Sequence, residues 1–306
     1  MNTQLSQIGE FALIRLIQKK APRTRGVVQG IGDDAAVVSF REGRGASSLV
    51  LLTTDMMAEG VHFTRRMPAR SIGHKALACN LSDIAAMGGV PRFAVVSLGV
   101  PADLRIRFVE EMYDGINRLA KRFSVAIVGG DTIRCPKITI NVALLGEVKR
   151  KELVTRAGAR KKDRIFVTGA LGRSFKTGKH LSFIPRIAES RFLVGSFQPT
   201  AMIDISDGLI ADLAHILEAS RAGACLYEEK IPRTPQASLA EALGDGEDFE
   251  LLFTLPYPQG ERLRKIRNKR FTFYPIGEIV DQKEGIQLVD RRGHRRNLRV
   301  RGFEHF

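Results

Sequence analysis

Residues 73–100 read GHKALACNLSDIAAMGGVPRFAVVSLGV. The alanine-rich first part, extended back to residue 70, predicts a long helix over 70–87 that ends at Gly88-Gly89. Phe93–Val100 follows as an apolar, β-branched strand. A second helix is expected over 102–122, and then a strand, Val125–Val128, that ends in Gly129-Gly130. This alternation of helices and strands excludes an all-helical bundle and an all-β sandwich. It also leaves one anomaly: Asp83 sits inside the first helix among Ala78, Leu81, Ile84, Ala85, Ala86 and Met87. An unpaired carboxylate buried there would cost several kcal/mol or change its protonation.

The same reading extends in both directions. Apolar positions 8, 11, 13, 14 and 17 predict a helix over 8–19. Val37–Phe40 and Leu49–Thr53 read as strands around a Gly-rich turn at 42–48, and Ile138–Val148 as a further strand. A basic run, KRKELVTRAGARKKDR (149–164), resembles a linker to a second half. That half shows strands at Arg164–Thr168, Ala201–Ile205 and Phe249–Leu255, with others near 274–280 and 286–290, and a helix over 208–220. Residues 170–200 are poorly patterned. The fold expected is α+β with two domains, 1–148 and 149–306, the first a mixed sheet with helices and the second α/β.

Composition narrows the class. The chain has 306 residues, 44% of them hydrophobic, which is enough for a full core and excludes wholesale disorder. No apolar stretch approaches the roughly 18 residues of a membrane helix. Glu10, Arg15, Lys19 and Lys20 interrupt the N-terminal apolar pattern, so no secretory signal is expected there. Cys79, Cys135 and Cys225 are scattered and odd in number; they read as reduced thiols of a cytoplasmic protein, Cys79 as a core thiol. The net charge of +15 first suggests nucleic acid. The excess is shared between the two halves, however, Trp is absent, and no basic segment is interleaved with stacking aromatics. A solvated basic surface is the expectation, including the run Arg291–Arg301; Lys179 and His180 are also expected to face solvent.

The aspartates carry the chemistry. Asp33 and Asp34 (GIGDDAAVV), Asp55 (LVLLTTD), Asp83, Asp131 (VAIVGGDT), Asp204 and Asp207 (AMIDISDGL), and Asp245 and Asp248 (GDGEDFELLF) adjoin the ends of apolar runs, beside Gly, Ser or Thr. One such Asp is most simply a helix cap or half of a salt bridge. A set of them in both halves is better explained by a shared cationic partner. Hard divalent cations such as Mg²⁺ take oxygen ligands and need neither His nor Cys. Thr53 and Thr54 could add oxygens, and the adjoining glycines would let backbone N–H groups approach phosphate. Asp33 and Asp245 read equally as turn residues or as ligands.

Several phosphate chemistries are excluded. No GxxxxGK[ST] loop is present; the nearest approach, GRSFKTGKH (172–180), has the wrong spacing and ends in His180. The HRD…DFG kinase set, GxSxG, HExxH and GxGxxG are all missing.

The series GIGDDAAV (30–37), TTDMMAEGVHF (53–63), GHKALACNLSDIAAMGGVP (73–91), VGGDT (128–132), DISDGL (204–209), GEDFELLFT (246–254) and GFEHF (302–306) resembles the thiamine-monophosphate kinases, a family of the aminoimidazole ribonucleotide synthetase-like superfamily. The resemblance implies ATP- and Mg²⁺-dependent phosphorylation of thiamine monophosphate to thiamine diphosphate, by a homodimer that pairs through its N-terminal domain. It implies Mg²⁺ at Asp34, Thr53, Thr54, Asp55, Asp83, Asp131, Asp204 and Asp207, and ATP contacts at Tyr113, Gly130, Asp131, Arg156 and Ser206. It implies substrate contacts at His62, Glu247 and Phe303. Phe303 stands where Tyr is common in the family, and 170–200 is shorter than in many relatives.

The physical reading agrees with that reaction. The acceptor is itself a phosphate monoester, largely dianionic near neutral pH because its second pKa is about 6. It needs no general base, but two repelling anions must be brought together, so direct in-line transfer is expected. Within the superfamily, a selenophosphate synthetase would carry a reactive Cys or selenocysteine near the N-terminus, whereas the first Cys here is Cys79. The purine-pathway synthetase would need a Gly-Thr-Lys segment that 58–62 lacks. A basic nucleic-acid-binding protein would leave the aspartates without a role.

Overall fold

The computed structural model describes residues 7, 9–22, 25–40, 47–266 and 270–300. Phe303, the segment 302–306, residue 8 and most of the turn at 42–48 lie outside the described residues. After helix α1 (Glu10–Lys20) come strands β1 (Val27–Gln29), β2 (Ala36–Val38) and β3 (Ser48–Ala58), then α2 (Ala69–Ala86), β4 (Val90–Val100), α3 (Ile106–Phe123), β5 (Ala126–Arg134) and β6 (Thr139–Lys149). The six strands form one sheet in the order β1-β2-β3-β6-β4-β5. Among the described residues of this sheet only β4 and β5 pair in parallel, with α3 as the crossover between them.

A second sheet follows, built from β7 (Arg164–Val167), β8 (Ala201–Asp204), β9 (Ala222–Tyr227), β10 (Leu251–Leu255), β11 (Tyr274–Asp281), β12 (Ile286–Val289) and β13 (Arg295–Asn297). Its order is β13-β12-β9-β11-β7-β10-β8. Between these strands lie α4 (Ser174–Thr177), α5 (Ile187–Ser196), α6 (Leu209–Ser220), α7 (Leu239–Gly244) and α8 (Tyr257–Lys265). β7, β8 and β10 are covered on both faces, which is why FVTG, AMIDI and ELLFTL read as continuous apolar runs rather than alternating ones.

Helix α2 is the centre of the molecule. It touches β3 and β6 of the first sheet, α3 and α5, and β8 of the second sheet. Its alanines and glycine follow from that crowding: a Cβ on Gly73 would lie 1.9 Å from the Met112 carbonyl oxygen on α3. Helix α3 buries Met112, Gly115, Ile116, Leu119 and Ala120, an i, i+3, i+4 stripe, and leaves its charged face to solvent. The main core joins both sheets, with Leu51, Leu77, Ile84 and Ile140 in one cluster with Phe166, Met202, Phe253 and Leu255. Ile165, Val167, Ile203 and Leu252 point to the opposite face of the second sheet and pack with Leu213 and Ile216 of α6. Each fully buried side chain of this size stabilises the fold by about 1.5–3 kcal/mol.

Two expectations are corrected. β5 does not stop at Gly129-Gly130; a register shift against β4 carries the strand through the glycines to Arg134. The segment 170–200 is not irregular throughout: α5 buries Ile187, Ser190, Leu193 and Val194, and the Ser190 hydroxyl donates to the Ala85 carbonyl of α2 at 2.6 Å. Its apolar stripe is too short, and too broken by Glu189 and Arg191, to stand out in sequence.

Candidate active site

Four elements bring carboxylates to one place. Asp34 lies in the loop before β2. Asp55 shares a face of β3 with Thr53, because alternate residues of a strand point the same way. Asp83 projects from α2, and Asp204 ends β8. Asp34, Asp83 and Asp204 each offer an oxygen within 4.8 Å of the others. The Thr53 hydroxyl donates to Asp83 at 2.5 Å, and Ser82 donates to Asp204 at 2.6 Å. Asp34 Oδ2 is buried and has no hydrogen-bond partner.

The electrostatics follow from that crowding. Burial, with Asp34 adding to it, pushes the Asp204 carboxyl up to about 8, Asp33 to about 7 and Asp55 to about 6. Asp83 is held well above the usual carboxylate range by burial and then by Asp55, Asp204 and Asp34. One cationic side chain reaches in: Arg156 donates to Asp34 Oδ1 at 2.6 Å, while its backbone N–H donates to Asp33 at 3.2 Å. The set is all oxygen, acidic and in part unsatisfied, which suits a hard divalent cation.

A second polar group lies beside it. Ala58 N–H donates to His62 Nδ1 at 3.0 Å, so the neutral imidazole carries its proton on Nε2. Glu247 sits in the loop before β10 with φ +62, and its carboxylate takes both hydrogen bonds from Lys75 Nζ, at 2.6 and 2.7 Å. The sequence reading missed Lys75, although a lysine in an alanine-rich helix is the same kind of signal as Asp83 two turns later. Glu247 N–H donates to the Ser206 carbonyl at 2.6 Å and so ties this loop to the one after β8.

The remaining candidates divide. Ser206 and Asp207 lie in the β8–α6 loop; Asp212, also missed, caps that turn by accepting from the N–H groups of Asp207 and Gly208, both at 3.1 Å. Asp207, Asp212 and His215 form a second acidic group. Thr54 faces away from Thr53: its hydroxyl donates to Asn141 and to the Val142 carbonyl. Asp131 and Gly130 lie exposed on edge strand β5, where Asp131 accepts the Thr132 N–H at 2.8 Å, outside the cluster of Asp34, Asp83 and Asp204. A Cβ on Gly130 would sit 1.8 Å from the Val96 carbonyl. Tyr113 is half-buried on α3 against the main core. Asp33 and Asp245 both act as acceptors for backbone N–H groups, those of Arg156 and Arg173.

Lys179 and His180 do not face solvent. His180 is 2% exposed, stacked on Phe175, with Nδ1 on the Ser174 carbonyl at 3.0 Å. Lys179 joins Arg186 around the buried carboxylate of Glu250, at 2.9 and 2.7 Å. The partner of Lys179 lies 71 residues away, so local pattern could not place it; His180 turns inward onto Ser174 and Phe175 within its own poorly patterned segment. Cys79 is buried, as expected of a core thiol.

Known proteins share this fold. The family model described as AIR synthase related protein, N-terminal domain, matches residues 32–148. The thiamine-monophosphate kinase of Aquifex aeolicus is 34% identical over 99% of this chain and 100% of its own length. That of Bacillus subtilis is 31% identical over 97% and 99%. The solved structure "AaThiL complexed with AMPPCP and TMP" superposes with a TM-score of 0.85 at 32% identity, covering 100% of both chains. With identity above 30% over nearly the whole of both chains and the fold in common, this chain belongs to the thiamine-monophosphate kinase family.

Proposed function

We propose that this chain transfers the γ-phosphoryl group of ATP directly to thiamine monophosphate, giving thiamine diphosphate, with Mg²⁺ as the required cation. The observation that carries this reading is the convergence of Asp34, Asp55, Asp83 and Asp204 from four elements, with Asp34 Oδ2 buried and unpartnered. The family relatives and the AMPPCP–TMP complex of a 32% identical protein support the substrate pair.

Asp34, Asp55, Asp83 and Asp204 would hold the cation, with the Thr53 hydroxyl beside them; Asp131 on β5 and Asp207 in the β8–α6 loop lie outside that cluster and are assigned to metal by the family resemblance alone, and Thr54 would take part only through its main chain, since its hydroxyl is turned away. When bound, Mg²⁺ offsets the charge of the two phosphates and orients them. Arg156 contributes the nearest guanidinium for the nucleotide, and Gly130, Asp131, Ser206 and Tyr113 are assigned to the same ligand. His62, Glu247 and Phe303 are assigned to thiamine monophosphate. No side chain need remove a proton, because the attacking phosphate oxygen is already ionised at neutral pH.

The division into domains 1–148 and 149–306 belongs to the same proposal, as does a cytoplasmic location; among the described residues, no helix is long and apolar enough to cross a membrane. The first domain is assigned the dimer contact. Leu52, Met56, Phe93 and Val128 of its sheet are each at least half exposed, an apolar surface of the kind that partners cover. Light scattering on the eluting protein tests the dimer. The activity is tested by incubating purified protein with ATP, Mg²⁺ and thiamine monophosphate. Formation of thiamine diphosphate is expected; a folded protein that makes none sinks the reading.

A further inference from the structure

Lys75 is the most completely buried cation near the site, with 1% of its side chain exposed. A buried ammonium is tolerated only where each of its N–H groups is satisfied. Here three acceptors surround it: Glu247 Oε1 at 2.6 Å, Glu247 Oε2 at 2.7 Å and the His62 carbonyl at 3.3 Å. The Phe175 ring closes a fourth side, with its centroid 5.6 Å from Nζ. Glu247 and His62 are the two described residues assigned to thiamine monophosphate. They come from different parts of the chain, one after β3 and one before β10, and Lys75 on the central helix is the group that touches both.

The Glu247 loop is held from several other directions. Ser206 accepts from its N–H, the Ser174 hydroxyl donates to its carbonyl at 2.5 Å, and Phe249 N–H donates to the Ile205 carbonyl at 2.8 Å. Glu247 and Phe249 both have φ in the left-handed region, at +62° and +50°, a conformation that surrounding contacts must enforce in residues other than glycine. These contacts fix the main chain. The carboxylate itself is fixed by Lys75, which also cancels its charge. What faces a ligand is the 17% exposed Glu247 side chain, not Lys75.

We propose that Lys75 is a positioning residue for thiamine monophosphate: through its ion pair it sets the orientation of Glu247 and its distance from His62 without touching the substrate. The proposal rests on the kinase reading and on the assignment of Glu247 and His62 to that substrate. Because Lys75 acts through a substrate contact and not on the nucleotide, its loss changes one Michaelis constant and spares the other.

The test uses full-length enzyme with saturating Mg²⁺. Lys75→Met is expected to raise KM for thiamine monophosphate at least tenfold, with KM for ATP within twofold of wild type and kcat reduced less than KM is raised. A merely structural role would instead lower the melting temperature and move both KM values together. Lys75→Met leaves a carboxylate without its cation, so a second comparison needs no such variant: Glu247→Gln against Lys75→Met/Glu247→Gln, in which neither charge remains. If Lys75 works through Glu247, the two share one KM for thiamine monophosphate within about twofold, because coupled residues do not add. A further tenfold rise in the double variant, or an unchanged KM in Lys75→Met, overturns the proposal. Wild-type protein that forms no thiamine diphosphate would instead count against the kinase reading itself, so the two failures are distinct.

Discussion

Replacing Asp83 by asparagine separates what the carboxylate cluster costs from what it does. Oxygens of Asp34, Asp83 and Asp204 lie within 4.8 Å of one another. Two unit charges at that distance repel by about 3.5 kcal/mol at an effective dielectric near 20. Full ionisation would therefore load Asp83 with about 7 kcal/mol from two neighbours, and protons are retained instead. Burial and then Asp34 push the Asp204, Asp33 and Asp55 carboxyls up to about 8, 7 and 6. A group whose native pKa is raised binds more protons folded than unfolded between the two values, so stability falls as pH rises through that window. For this cluster the window runs from about 4, the unfolded value, to about 8. Metal-free wild type should accordingly lose stability between pH 5 and pH 8.

Asp83→Asn replaces, at nearly constant volume, a carboxyl that burial and its neighbours hold well above the usual range by a group that never ionises. Without metal the variant should therefore be at least as stable as wild type, with any gain larger at pH 8 than at pH 5 and well short of the full Coulomb figure. Mg²⁺ reverses the order. A cation at a hundredfold excess over its dissociation constant adds about 2.7 kcal/mol to the state that binds it, and the variant has lost a ligand. Turnover should fall by about 10²–10³, the usual cost of one preorganised electrostatic group. Thermal denaturation with and without Mg²⁺ at pH 5 and pH 8, beside a turnover assay, reads all of this. A variant less stable than wild type without metal at pH 8, with an undiminished Mg²⁺ increment and unchanged turnover, would show that Asp83 is only an anchor for Thr53.

Three further outcomes are expected. Glu250→Gln leaves Arg186 and Lys179 around a neutral group in a buried site; chemical denaturation should show a loss of about 3–5 kcal/mol. Burial raises the Glu250 pKa, but Arg186 and Lys179 more than reverse it, so its contribution is present above its unfolded pKa and lost on acidification through the lowered native value. Gly73→Ala forces α2 away from α3, since the new Cβ would sit 1.9 Å from a backbone oxygen; a loss of about 1–3 kcal/mol is expected, with KM values unchanged in whatever folds. Arg156→Met should raise KM for ATP at least tenfold, with thiamine monophosphate little affected; equal effects on both would remove Arg156 from the nucleotide site.

Legibility followed pattern rather than length. α2, α3 and β6 carry enough regular residues to stand out, and the short strands β7, β8 and β10 show as unbroken apolar runs, whereas β9 (AGACLY), α5 and α8 owe their form to what covers them. The cluster was legible for a different reason. A carboxylate embedded in apolar sequence is improbable unless something pairs with it, and Asp34, Asp55, Asp83 and Asp204 each showed that mismatch. The structure answers it by placing them together, with Thr53 and Ser82 as hydrogen-bond donors. Lys75 showed the same mismatch, but its partner lies 172 residues away, and one half of a buried ion pair says nothing of where the other half is. Glu250, at the start of a strand, was hidden for the same reason; Asp212 bonds only four and five residues back, and was hidden inside an amphipathic helix pattern.

Part of the net charge of +15 also acquires a location. Arg295, Arg296 and Asn297 form β13, an exposed strand at the end of the second sheet, with Arg291, Arg292 and Arg299 exposed around it. An open edge invites pairing with another chain, and a row of guanidinium groups on it opposes that by repulsion. The far edge, β8, needs no such guard because α2 lies against it. The first sheet differs. Its edge strand β5 exposes Val128 and Ile133, and β3 exposes Leu52 and Met56. Arginines along one edge and an apolar surface on the other sheet fit the proposed dimer contact on the first sheet rather than the second. If so, charges placed at Leu52 and Met56 should dissociate the proposed dimer, while removal of Arg295 and Arg296 should leave the dimer intact and instead make the protein more prone to aggregate.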